Sequence, residues 1–222
     1  YEDSRNVSPL IDAEFDQGGN WNNYIQTQIG FNGPVGCVAV AMAQVMHYWS
    51  FPYVGEGSNS YYENDYGLIE VDFSSAYYDF DSMPDTYPST ASQILLFHSG
   101  VSVNMDYDGS GSGAWVMGSY PSTEYAMVNY FKYNESMYHM YKSSNNSDAF
   151  RDAIVSDLEN SKPVVMVGYG SGYGGGHAWN IDGYQGMNFH CNWGWGGYSN
   201  GYYNLTSMGG FPDDQAVLLN II

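Results

Sequence analysis

From Cys37 to Trp49 the chain carries no glycine, no proline and no formal charge, and Gly33-Pro34-Val35-Gly36 just before it breaks any preceding element. The pattern predicts a helix that starts at the cysteine, is apolar nearly all round and is therefore buried at the centre of the molecule; Phe51-Pro52 stops it. Further on, Thr90-Ala91-Ser92-Gln93 has the spacing of a capping box ahead of Ile94-Leu95-Leu96-Phe97, so a short helix is expected up to Gly100. A segment from Pro121 to Phe131, starting near Ser119, predicts another. Asn146-Ser147-Asp148 caps a stronger one, with Phe150, Ile154, Val155 and Leu158 at helical spacing until Asn160. The period then changes to two. Strands are expected over 163–169, 177–182, 187–193, 201–205 and 216–222, with a glycine-rich loop at 170–176. Residues 1–36 and 53–88 are polar and punctuated, the latter with short extended pieces such as 68–73. Helices early and sheet late make an α+β chain with a cleft between its halves.

The runs around His177 and Asn192 flank Gly183-Tyr184-Gln185-Gly186. If Tyr184-Gln185 centre a tight hairpin, His177 and Asn192 lie directly opposite, with Cβ atoms roughly 4.5–5.5 Å apart, and the amide oxygen can accept from the imidazole.

Composition narrows the function. Five basic residues against 24 acidic ones leave a formal charge of −19, a surface that repels nucleic acid and suits a soluble protein working outside the cell or in salty surroundings. With 23 tyrosines and 27 glycines the chain favours short strands, turns and aromatic-lined clefts. No apolar run has membrane-spanning length, and a start at Tyr1 points to a processed or trimmed form. The two cysteines, Cys37 and Cys191, permit one disulfide but no framework. There is no CxxC and no HExxH, so no metal or cofactor is expected. Asp106 to Gly113 opens like a calcium loop, but Met117 stands where a bidentate acid is needed, and a glycine and serine loop bordering the cleft is the better reading.

Cys37 at a helix start is the centre of the chemistry. Unpaired N–H groups there favour a thiolate, the form that attacks a carbonyl. A thiol nucleophile needs a base, and the base needs an acceptor that fixes its tautomer; His177 and Asn192 supply these on the expected hairpin. Gln17, upstream in a turn-rich segment, offers an amide donor for a developing oxyanion, and Trp193 with Trp195 can shield the imidazole from water. Taken alone, Cys37 reads as a buried small hydrophobe and His177 as an ordinary strand histidine. Together they read as a site.

These residues resemble the streptopain family of bacterial cysteine peptidases, which share the papain-like fold. The matching stretches run nearly end to end, among them Asp16-Gln17-Gly18-Gly19, Gly36-Cys37-Val38-Ala39, Ala41-Met42-Ala43-Gln44-Val45-Met46, Gly111-Ser112-Gly113-Ala114, Gly176-His177-Ala178 and Asn192-Trp193-Gly194-Trp195-Gly196-Gly197. The resemblance implies a two-lobed fold with the central helix in one lobe and an antiparallel sheet in the other, residues 1–222 forming a single mature catalytic domain. It implies a secreted or cell-surface endopeptidase acting on protein and peptide substrates, and an N-terminal inhibitory propeptide before activation. By the same resemblance Cys37 is the nucleophile, His177 the general base and acid, and Asn192 the orienter. Gln17 and the Cys37 N–H form the oxyanion hole, and Trp193 covers the His–Asn bond. An apolar side chain two positions before the scissile bond is favoured, with the loop around Gly111–Ala114 as a candidate for its pocket. An acyl-transferring amidase or transpeptidase using the same site, or a glycan- or peptide-binding module, are the alternatives.

Overall fold

The computed structural model describes residues 5–171 and 175–222. The expected processed start, on residues 1–4, and residues 172–174 of the glycine-rich loop lie outside the described residues. After strand β1 (Asn6–Val7) and helix α1 (Asn23–Ile29), the central helix forms as α2 (Cys37–Trp49). A hairpin of β2 (Ser58–Glu63) and β3 (Gly67–Asp72) follows, then α3 (Thr90–Ser102), α4 (Thr123–Asn129), β4 (Tyr138–Tyr141) and α5 (Ser147–Glu159). The last five strands are β5 (Val164–Tyr169), β6 (Gly176–Gln185), β7 (Asn188–Asn192), β8 (Gly201–Asn204) and β9 (Asp213–Leu219).

Strands β4-β9-β5-β6-β7-β8 form one antiparallel sheet, and β1 pairs with the last residues of β6. Side chains alternate between its faces. Val165, Ala178 and Leu218 join the core of the helical lobe, while Val164, Met166, Trp179, Ile181, Val217 and Leu219 pack beneath Phe150, Ile154, Val155 and Leu158 of α5. Helix α2 lies between α3 and β6, which is why every residue from Val38 to Met46 is buried. Each valine or methionine among them contributes roughly 1.5–3 kcal/mol. Among the described residues no helix is long and apolar enough to cross a membrane.

Several boundaries move, for local reasons. The capping box of α3 is Ser89 with Ser92, one residue earlier than expected. Helix α4 is shorter, because Ser122 caps it by accepting from the Tyr125 N–H at 3.1 Å. Asn146 precedes α5 but spends its side chain on the turn before it, accepting from Ser143 N and donating to the Tyr141 carbonyl. The pieces near 68–73 belong to a full six-residue hairpin.

The hairpin carrying the histidine differs most. Tyr184 does not turn; it is buried, pairs with Phe189 and belongs to the core under α5. Gly186, at φ +58°, takes the conformation the turn requires, so the turn falls at Gly186-Met187. The register shifts accordingly, with a further irregularity between Ile181 and Gly183, and Asn192 faces Asn180. His177 pairs with Gly168 of β5 instead.

Candidate active site

The position of Cys37 is set by the backbone just before it. Gly36 sits at φ +99°, and a Cβ there would lie 2.7 Å from Met105 Sδ, so only glycine enters α2 by this path. The Ser112 hydroxyl donates to the Pro34 carbonyl at 2.6 Å, and the Val35 N–H donates to the Gln17 carbonyl at 2.8 Å. The chain entering Cys37 is thus tied to both the glycine and serine loop and the Gln17 segment. Cys37 remains partly exposed at the floor of the cleft, and the Ala178 N–H donates to its Sγ at 3.4 Å. The residue next to His177 therefore touches the sulfur.

His177 is held through its other side. Its Nε2 lies 2.9 Å from the Trp193 carbonyl oxygen, which can only accept, so the neutral ring carries its proton on Nε2 and leaves Nδ1 unprotonated. This corrects the assignment of Asn192. Its Nδ2 donates to the Ala13 carbonyl at 2.7 Å and its Oδ1 accepts from Gly194 N at 3.3 Å, both inside the core, because the hairpin register carries it past His177. Among the described residues, Trp195 is the ring nearest the imidazole, stacked at 4.7 Å, with Phe211 at 5.2 Å and Trp193 at 6.0 Å. Trp193 contributes its carbonyl, and its own N–H is held by Asn200 Oδ1 at 3.0 Å.

Burial raises the Cys37 thiol, outweighing the N–H groups of Val38, Ala178 and Cys37 itself, which pull the other way. The helix-start argument for a thiolate is thus overridden by desolvation. Burial likewise lowers His177 from the ordinary 6.5 to about 4, with the Trp193 carbonyl opposing. Both shifts act against a single charge in the site.

One supporting group was read from sequence only as part of a matching stretch. Gln44, the lone polar side chain in Val38–Met46, accepts from the Phe15 N–H at 3.0 Å and donates to Asn180 Oδ1 at 2.9 Å; Asn180 in turn donates to the Ala41 carbonyl at 3.1 Å. This fully buried chain locks α2 to β6, three residues from His177. A polar residue inside an otherwise apolar helix was its signal.

Cys37 and His177 open into a cleft of about 820 Å³ whose lining includes Gln17, Val38, Ala114, Met117, Val167 and Ala216. The loop from Ser110 borders it, as expected. Gln17 and Cys37 line the same cleft. Cys191 is fully buried, and both cysteines are free. Its thiol is raised well above the ordinary range by burial.

A helix-borne thiol and a strand-borne imidazole lining one cleft, on this mixed helix and antiparallel sheet, match the frame of a papain-like cysteine protease. The model of the peptidase C10 family matches residues 15–203, and the chain belongs to that family. It is 31% identical over 223 aligned residues to streptopain of Streptococcus pyogenes serotype M28, covering 88% of this chain and 54% of that protein. It is 31% identical over 208 residues to the thiol protease/hemagglutinin PrtT of Porphyromonas gingivalis, covering 84% of this chain and 23% of that one. The chain thus spans about half the length of the streptopain it matches. Active interpain A of Prevotella intermedia superposes with a TM-score of 0.82 at 28% identity, covering 98% of this chain and 95% of the other. A prointerpain A fragment from the same organism superposes at 0.80 and 26%, covering 98% and 72%.

Proposed function

We propose that the chain is a cysteine endopeptidase, on the strength of one observation: Cys37 Sγ, at the cleft floor, takes a hydrogen bond from the residue beside a histidine whose tautomer the Trp193 carbonyl fixes. Sγ attacks the scissile carbonyl, and its proton passes to His177 Nδ1 and then to the leaving amine. Water, deprotonated by the same nitrogen, cleaves the thioester and restores the thiol. The Cys37 N–H and the Gln17 side-chain amide stabilise the oxyanion. Residues 1–222 act as one catalytic domain on protein and peptide substrates, in a protein that works outside the cell or on its surface. A preceding inhibitory segment accords with the prointerpain fragment, of which this chain matches only 72%.

The test is cleavage of a denatured-protein peptide library read by mass spectrometry, with and without iodoacetamide and with Cys37→Ala. Cleavage abolished by both is expected. Cleavage that survives Cys37→Ala overturns the assignment, and acyl transfer to an added amine in place of hydrolysis would make the enzyme a transpeptidase or amidase.

A further inference from the structure

Two charged side chains line the cleft, Lys142 and Asp214, and the structure treats them differently. The Lys142 ammonium is occupied, donating to the Leu205 carbonyl at 2.9 Å and to Gln215 Oε1 at 2.7 Å. Gln215 is itself buried and anchored by its Nε2 to the Leu205 and Phe211 carbonyls, both at 3.0 Å. That cation belongs to the wall. Asp214 is exposed, and among the described residues its carboxylate has no hydrogen bond or ion pair.

Its placement comes from an irregularity in the sheet. Val167 pairs with Ala216 and Tyr169 with Asp213, so Asp214 and Gln215 share the single partner Gly168. Two residues opposite one is a bulge, which re-aims side chains, and Asp214 adopts φ +45° to make it. The bulge turns Gln215 inward to hold Lys142 and leaves Asp214 at the cleft. Among the residues lining the same cleft, Val167, Ala216, Ala114, Val116 and Met117 are apolar.

We propose that this cleft selects polypeptides bearing a lysine or arginine, the methylene stem lying on the apolar lining and the cationic head reaching Asp214. A long side chain with an apolar body and a charged tip matches such a surface. The overall charge of −19 draws cationic segments in. The inference rests on the peptidase reading and names the substrate class of that site.

The test compares kcat/KM for peptide sets that differ at one position near the scissile bond: arginine against citrulline, lysine against norleucine, and glutamate. At one position the basic residue should exceed its neutral counterpart by about two- to fivefold in low salt, shrinking in high salt, as for an exposed ion pair. Asp214→Asn should abolish that ratio; asparagine tolerates the positive φ, and the salt dependence of the wild-type ratio decides the matter if the variant does not fold. A ratio of one at every position, a ratio unchanged in Asp214→Asn, or a preference for glutamate overturns the proposal. Competitive binding of the same peptides to the Cys37→Ala protein reads the ratio without catalysis. A protein that binds with this preference but cleaves nothing refutes the peptidase reading alone, and one that cleaves through Cys37 without it refutes this inference alone.

Discussion

Acid should unfold this protein through two histidines that stay neutral inside it. His98 and His177 are both buried, and burial lowers each from 6.5 to about 4. A histidine with a depressed folded pKa contributes stability that is complete above about 6.5 and is lost as pH falls towards 4, because the unfolded chain binds the proton first. At pH 5 each histidine withdraws about 2 kcal/mol, about 4 kcal/mol together, against a total stability on the order of 5–15 kcal/mol. Two effects oppose this: Asp157, raised by burial, favours its protonated form, and acidification relieves the −19 surface. A difference measurement removes both. In a Cys37→Ala background, which prevents self-cleavage, urea unfolding is followed at pH 7, 6 and 5 with His98→Gln alongside. Glutamine can still meet the Tyr78 hydroxyl, which lies 3.0 Å from His98 Nδ1. Whatever the substitution costs at pH 7, the gap to the parent should narrow by about 2 kcal/mol by pH 5. His177→Gln should behave alike. Parallel curves for parent and variants over that range would refute the claim that these rings fold neutral.

Three further outcomes are expected. The acid limb of kcat/KM should fall near pH 4, where His177 would take a second proton, and an inflection near 6.5 would contradict its burial. Gln44→Leu leaves the Phe15 N–H and Asn180 Oδ1 unpaired in the core, so it should cost about 2–4 kcal/mol and lower Tm by roughly 4–12 °C in a calorimetric scan; an unshifted Tm would deny the Gln44 link. Asn192→Ala should destabilise by about 1–3 kcal/mol by orphaning the Ala13 carbonyl, while kcat/KM of the folded protein falls less than about tenfold; a loss of about 10⁴, as expected of a tautomer-setting side chain, would restore the direct role.

Sequence carried the fold where local signals and packing agree. Helix α2 reads at once because nothing polar except Gln44 interrupts Val38–Met46, and α5 because Phe150, Ile154, Val155 and Leu158 make one buried stripe. Helix α1 passed unseen: Asn23–Ile29 buries only Ile25, and its remaining residues have no periodic face. Cys37 and His177 stood out by residue type and setting. The histidine's acceptor could not, since a backbone carbonyl is common to every residue and has no sequence signature. The turn was misplaced because two glycines bracket Tyr184-Gln185, and only the burial of Tyr184 under α5 decides which of them turns.

That misplacement changes what the Asn192 to Gly194 segment is for. A side-chain orienter can be tuned by substitution, but a carbonyl can only be aimed by the path of the chain, and the surrounding contacts all fix that path. Asn192 fastens one end to Ala13, and Asn200 holds the Trp193 N–H. Gly194, at φ +69°, lets the strand end lie against α2, where a Cβ would sit 2.7 Å from Val40 Cγ1. Val40 is one turn beyond Cys37 on α2, and Gly194 is one residue beyond the carbonyl that holds His177. Cys37 and His177, the proposed catalytic pair, are therefore positioned by direct packing of their own elements. This explains why a loop-borne main-chain acceptor can replace an amide side chain without loosening the imidazole.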